Sequence, residues 1–497
     1  MPGDASRGLQ FSEPPIFERG TAGRSGVSIG ALDVPRVDPK SAFGTLARDS
    51  NAALPEVSEP EVVRHFVRLS AQNFSIDTQF YPLGSCTMKH NPKVNEWSSR
   101  LPGFGNLHPE TPSDLAQGAL SLMWHLERDL AEVCGMDGVT LQPSAGAQGE
   151  ITGLMLIRAF HASKGRSPRT VLIPDTAHGT NPASCTVNGL KVSPFESGAN
   201  GIIDPAKLAV ALDAVGDDLA AIMITNPNTL GLFEAELPKI SRMVHDRGAL
   251  MYGDGANLNA LMGRVRPGDA GFDVVQLNLH KTFSTPHGGG GPGCGPVAFK
   301  KALEPFRPIP VVLRNGEHYS VTEDRPQSIG RVRGFHGNFG VMVRAYTYIR
   351  ELGPDGLKLS TELAVLNANY AAALLRDTFP IAQNRTCMHE AVFSDKHLES
   401  ETGVKTLDVA KRLIDYGFHP PTVYFPLVVR GAMMIEPTES ESKETIEAFV
   451  DALKAIVKEA HENPDLLHAA PQLTRLGRLD EARAARKPTL RWRPTAS

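Results

Sequence analysis

Apolar positions along this 497-residue chain change their spacing three times, and the changes divide it. Up to about residue 55 no period is sustained. The stretch is rich in Gly, Pro, Ser and Arg, with Pro14-Pro15, and reads as an extended arm with little core of its own, of the kind that wraps a partner subunit. Helical spacing begins over residues 59–69. Residues 113–135 read as one amphipathic helix with Leu115, Ala119, Leu122, Leu126 and Leu130 on a face. From residue 138, short apolar runs (139–142, 170–174, 219–225, 249–252 and 274–278) alternate with helical stretches such as 151–163 and 237–246. Apolar strands separated by helices predict an α/β fold, a mostly parallel sheet with helices on both faces. Polar residues fall just past the strand ends, where such folds bind ligands.

After about residue 330 the pattern becomes α+β. Helices are expected over 337–352, 357–376 and 404–416, and strands over 388–394 and 423–429. A last helix carries the stripe Ile446, Phe449, Val450, Leu453, Ile456 and Val457, with Thr438-x-x-Glu441 as a capping box ahead of it. The expected organisation is an arm (1–55), a large α/β domain (56–330) and a smaller α+β domain with its tail (331–497).

Composition narrows the function classes. The chain is 41% hydrophobic and 21% charged, and its net charge of −4 asks for neither nucleic acid nor an anionic membrane. Five cysteines (Cys86, Cys134, Cys185, Cys294 and Cys387) include no Cys-x-x-Cys, which predicts free thiols in a reducing compartment and neither a disulfide framework nor a zinc site. No 18-residue apolar run occurs and the first residues lack a signal-peptide core, so a cytoplasmic protein without a bound metal is expected.

Candidate chemistry centres on Asn278-Leu-His-Lys-Thr-Phe-Ser-Thr-Pro-His-Gly-Gly-Gly-Gly-Pro-Gly-Cys-Gly295. Lys281 sits at the end of a strand before backbone that can approach a ligand closely, a placement suited to covalent chemistry on a carbonyl compound. Ser144-Ala-Gly-Ala-Gln-Gly149 precedes a helix and offers free N–H groups to a phosphate, with Ser144, Gly146 and Ala147 as the contacts. Gly288-x-Gly-x-x-Gly293 matches a dinucleotide fingerprint but lacks the helix that should follow it. Asp254, beyond a buried strand, is suited to keep a pyridine nitrogen protonated. His178 is suited to stack on an aromatic cofactor or move a proton, and Asn226 and His280 to bond its hydroxyl and phosphate. Singly, these are also what a surface lysine, a turn aspartate and a solvated histidine look like. Their order along the chain is the layout of a pyridoxal-phosphate site on a fold-type I scaffold.

Leu279-His-Lys-Thr-Phe-Ser-Thr-Pro-His-Gly-Gly-Gly-Gly-Pro-Gly, Gly253-Asp-Gly-Ala-Asn, Ala177-His-Gly-Thr-Asn-Pro-Ala, Tyr81-Pro-Leu-Gly-Ser-Cys-Thr-Met-Lys89, Asp415-Tyr-Gly-Phe-His-Pro-Pro-Thr422 and Met434-Ile-Glu-Pro-Thr438 resemble the glycine cleavage P-protein family. The resemblance runs from about residue 14 to Trp492 and is closest to subunit 2 of its two-subunit form, glycine dehydrogenase (decarboxylating). It implies pyridoxal 5'-phosphate held as a covalent aldimine at Lys281, His178 stacked on the ring, and Asp254 paired with the pyridinium. It further implies decarboxylation of glycine, with the aminomethyl group passed to the lipoyl arm of H-protein. A separate subunit 1 without the cofactor lysine would complete a two-plus-two heterotetramer. Arg331 and Arg333 are candidates for the glycine carboxylate, and Cys86 has no assigned role. Two other readings stay open. One is a different fold-type I enzyme (a decarboxylase, aminotransferase or aldolase), which fold alone does not exclude. The other is a cofactor-free structural subunit, against which Lys281 and Asp254 both stand.

Overall fold

The computed structural model describes residues 13–28, 30–50, 52–287 and 293–493. Residues 1–12 of the arm and 288–292 of the glycine run, including most of the fingerprint, lie outside them. The chain forms two compact units, Met1–Thr78 with Pro471–Ser497, and Gln79–Ala470.

The first unit is built on the helix Glu59–Ala71, whose first turn is closed by Glu61 accepting from the Ser58 N–H and hydroxyl. Its anchor is Glu13, a buried carboxylate contacted by Arg19 Nε at 2.6 Å, Arg68 Nε at 2.5 Å and the His65 ring at 2.6 Å. Burial alone would raise this carboxyl, but the hydrogen bonds from Arg68 and His65, with the arginine charges, bring it down to about 2. Phe17 stacks on Trp492 with centroids 5.2 Å apart. Val63, Phe66 and Val67 leave an apolar face of the helix exposed.

The second unit carries a seven-stranded sheet in the order β1-β7-β6-β5-β4-β2-β3. Its strands are β1 (Gly138–Thr140), β2 (Thr170–Pro174), β3 (Lys191–Phe195), β4 (Leu219–Thr225), β5 (Leu250–Gly255), β6 (Val274–Leu277) and β7 (Val297–Phe299). β7 alone runs antiparallel to its neighbours. The central strands are apolar end to end because helices cover both faces; β4, Leu-Ala-Ala-Ile-Met-Ile-Thr, has every residue but its last buried. β3 was not legible in the sequence: it is an edge strand, half exposed and interrupted by Pro194. So was the hairpin of β8 (Val311–Asn315) and β9 (His318–Thr322).

Several expected boundaries move. The predicted helix 113–135 splits into a tight turn, Ser113–Leu115, and the helix Gln117–Cys134. Leu115, expected on the buried face, is 75% exposed because the break at Ala116 turns it out of phase, whereas Ala119, Leu122, Leu126 and Leu130 are buried. β5 extends to Gly255, so Asp254 belongs to the strand and does not follow it. The helix expected from residue 151 begins at Gly146.

The C-terminal part of this unit packs the helix Lys443–Glu462 against a small sheet ordered β10 (Ala391–Ser394), β12 (Ala432–Ile435), β11 (Thr422–Val423). The predicted strand 423–429 stops at Val423, because Tyr424 takes φ 57 and the chain turns. The central strand is β12, a segment where no strand is expected from the sequence. Thr438 does not cap the last helix; Ser442 does, accepting from Thr445 N at 3.2 Å. The two long helices expected after residue 337 run as Phe339–Leu375, interrupted where Gly353 adopts φ 61 ahead of Pro354.

Candidate active site

Parallel register places Thr225, Asp254 and Gln276 side by side at the C-terminal ends of β4, β5 and β6. A polar row in an apolar sheet needs partners, and it has them. Asp254 accepts from Asn181 Nδ2 at 2.9 Å, from Ala256 N at 3.0 Å, and from the Gln276 side chain. No lysine or arginine forms an ion pair with it among the described residues. Asn181 also donates to Glu150 Oε2 at 3.3 Å, and Ser184 Oγ donates to the same oxygen at 2.7 Å. Burial, reinforced by the Asp254 charge, pushes the Glu150 carboxyl up to about 7.

Lys281 lies four residues past β6 and is buried, with Nζ donating to the Ser85 carbonyl at 2.8 Å. It shares a cavity with His178, Asp254, Thr225, Asn257 and Glu390. The fixed orientation of His178 follows from its neighbours. Its backbone N–H donates to Thr225 Oγ1 at 2.9 Å, and the Thr180 N–H reaches its Nδ1 at 3.3 Å. Thr180 Oγ1 lies closer still, 2.6 Å from the same nitrogen, so Nδ1 is held by Thr180. Burial holds this imidazole below its ordinary value; Lys281 adds to the effect and Asp254 opposes it.

The remaining sequence candidates fall around this centre in different ways. Ser144 Oγ and N donate to Gln148 Oε1 at 2.8 and 2.7 Å, leaving the first N–H groups of the helix Gly146–Ser163 without a side-chain cap. At Gly146 a Cβ would sit 2.5 Å from Asn278 Oδ1, so a larger residue would displace that side chain, whose buried oxygen has no hydrogen-bond partner. Ala147 is exposed beside it. His280 accepts from Cys294 N at 3.3 Å and meets the His287 ring edge-on at 4.9 Å; burial, then His287 and Lys281, lower it to about 3. Asn226 does not line the lysine cavity; its Oδ1 accepts from Glu234 N at 3.0 Å and closes the loop after β4. Arg331 pairs with Glu323 at the surface, and Arg333 donates to Ser144 Oγ at 2.9 Å. Cys86 Sγ lies 3.3 Å from His287 Nε2.

Sequence reasoning missed Asn181, Gln276, Glu150, Ser85, Glu390 and Glu436. A glutamine inside the apolar run of β6 was the one clear signal. Ser85, Asn181 and Glu436 sit inside quoted motifs, and Glu150 and Glu390 outside them, with nothing to single them out.

This arrangement fits pyridoxal phosphate on its own chemistry. A buried carboxylate with no cationic partner suits a pyridinium nitrogen, uncapped helix N–H groups suit a phosphate, and a buried amine suits an aldehyde carbon. The fold is that of the fold-type I pyridoxal-phosphate enzymes, and the groups gathered in the cavity suit that cofactor. The family described as "Glycine dehydrogenase, C-terminal domain" matches residues 360–469, and the chain is 55% identical over 97% of its length to the "Probable glycine dehydrogenase (decarboxylating) subunit 2" of Listeria innocua, of which it covers 99%. It belongs to the family of glycine dehydrogenase (decarboxylating) subunit 2. Among solved structures, the glycine decarboxylase (P-protein) of the glycine cleavage system in inhibitor-bound form has the same fold, with TM-score 0.70 and 22% identity over 84% of this chain and 94% of that one. The Oryza sativa TDC with PLP and tryptamine follows at TM-score 0.63 and 14% identity, over 86% of this chain and 92% of that one. Among the described residues no helix is long and apolar enough to cross a membrane.

Proposed function

We propose that this chain is the cofactor-bearing subunit of a cytoplasmic glycine dehydrogenase (decarboxylating). It removes the glycine carboxylate as carbon dioxide and passes the aminomethyl group to the lipoyl arm of H-protein. The observation that carries the reading is a single buried cavity lined by Lys281, His178 and Asp254, residues that stand far apart in the chain.

Bound pyridoxal phosphate supplies an electron sink for the pair left when carbon dioxide departs. The residues do the rest. Lys281 holds the cofactor covalently through Nζ. Asp254, fixed by Asn181, Ala256 and Gln276, keeps the ring nitrogen protonated. His178, its Nδ1 held by Thr180, would stack on the ring and move a proton. Ser144, Gly146 and Ala147 hold the phosphate through the helix N-terminus, with Arg333 adding positive charge at Ser144. His280, accepting from Cys294 N, braces the segment that carries Lys281, and Asn226 closes the loop after β4. The partner is a separate subunit 1, in a heterotetramer of two plus two, the two-fold closure commonest among soluble assemblies.

The test is exchange of labelled carbon dioxide with glycine by the chain together with subunit 1. Exchange that requires both subunits and lipoylated H-protein supports the reading. Transamination, or decarboxylation of another amino acid without H-protein, would overturn it.

A further inference from the structure

His389 and Glu390 line the same cavity as Lys281 and Asp254, and with Glu436 they form a polar cluster that the reaction as described does not use. One oxygen each of Glu390 and Glu436 and one ring nitrogen of His389 all fall within 4.8 Å of one another, and all three residues are buried. Glu390 Oε2 accepts the Ser85 N–H at 2.6 Å. Ser85 stands at φ 63, a left-handed conformation uncommon for a residue with a Cβ, and its carbonyl is the acceptor for Lys281 Nζ. Glu436 Oε1 accepts from Thr87 Oγ1 at 2.7 Å and from Asn257 Nδ2 at 2.9 Å, while its Oε2 has no hydrogen-bond partner.

We propose that Glu390 and Glu436 share one proton and act as a positioning pair for Lys281: Glu390 holds the Ser85 turn that receives Nζ, and the pair keeps a single negative charge beside the amine. Two carboxylates this close and this buried do not both ionise, and a carboxyl proton would satisfy the bare oxygen of Glu436. The charged and titratable groups facing the pair are few. Lys281 is the cation. His389 is neutral, lowered to about 3 by burial and by Lys281. Glu439 is already matched with Lys89 at 2.6 Å. The Cys86 thiol is raised by burial. Burial and the neighbouring carboxyl push Glu390 well up, and burial brings Glu436 to about 7 against the hydrogen bonds from Thr87 and Asn257.

The inference rests on Lys281 being the cofactor lysine, and its test is read on the protein freed of cofactor, so the two fail separately. Lys281 is labelled with an amine-reactive reagent at fixed pH, and the rate is followed by peptide mapping in wild type, Glu390→Gln, Glu436→Gln and the double variant. Replacing one member leaves the other free to ionise, so each single variant should label at the wild-type rate. The double variant, which has lost the charge, should label about tenfold faster. Stepwise acceleration in the singles would mean two independent charges, and no change in the double would mean none; either overturns the pair. Should the double variant not fold, wild-type-minus-variant infrared difference spectra at about pH 8.5, above the value near 7 to which burial brings Glu436 and other buried carboxyls such as Glu150, decide with the singles. A protonated-carboxyl band in wild type that disappears in both is expected, and its persistence in either rejects sharing. Cofactor trapped by borohydride on another lysine would instead overturn the site itself.

Discussion

Gln276 stands directly across from Asp254 in the parallel pairing of β6 with β5 and donates its side-chain N–H to Asp254 Oδ1. The carboxylate is thereby fixed by a neighbouring strand and not by a flexible loop. Asp254→Asn replaces an acceptor with a group that is half donor, facing Asn181 and Gln276, which already donate. Turnover should fall by two to four powers of ten, roughly 3–5 kcal/mol. Gln276→Leu, which removes one hydrogen bond to a charged group, should cost less, about 1.5–3 kcal/mol. Glycine–carbon dioxide exchange by the two variants gives the comparison; an Asn variant at near-normal rate would reduce Asp254 to a structural residue.

Lys281→Ala should end covalent retention of the cofactor and all turnover while the unit stays folded, since a buried side chain with one hydrogen bond is replaced by a smaller neutral one. Borohydride treatment and peptide mapping of the wild type should label Lys281 alone. Label at any other lysine would refute the assignment.

Stability should depend on pH through Glu150. Its carboxyl titrates near 7 when folded and near 4.5 when unfolded, so between those values the folded state binds more protons. Stability therefore falls as pH rises from about 4.5 to 7, by a few kcal/mol at most. Other buried glutamates, such as Glu234, act in the same direction. The difference between wild type and Glu150→Gln isolates this one. Urea midpoints of the cofactor-free protein at pH 5.5 and 8 should separate less in the Gln variant; equal separation would place the Glu150 titration elsewhere.

Assembly should run through the first unit. Val63, Phe66 and Val67 are each more than half exposed along one face of the helix Glu59–Ala71, and the family name speaks of a second subunit. Phe66→Asp should leave this helix folded, because Glu13, His65 and Arg68 hold its other face. It should weaken association with subunit 1 by tenfold or more, a loss of at least about 1.4 kcal/mol. Sedimentation of the variant with subunit 1 is the check. Deleting residues 1–50 is a blunter test, since it also removes Glu13 and strips the helix of its buried counter-ion.

The sequence by itself determined the strands β2, β4 and β6 and the buried stripe of the last helix. A short unbroken apolar run and a 3.6-residue stripe are local properties of the chain, visible before any packing is known. It also marked Lys281, Asp254 and His178, because reactive side chains at the ends of apolar runs are visible without coordinates. What it did not determine were the partners that make those residues a site. Asn181, Gln276, Glu150, Ser85 and the Glu390–Glu436 pair come from separate segments, and only parallel register and the folding of the 83–87 turn onto β12 bring them together. Edge strand β3, central strand β12 and the outward turn of Leu115 were likewise settled by tertiary packing. Whether a short, mixed segment pairs, turns or is exposed depends on neighbours that its own residues do not name.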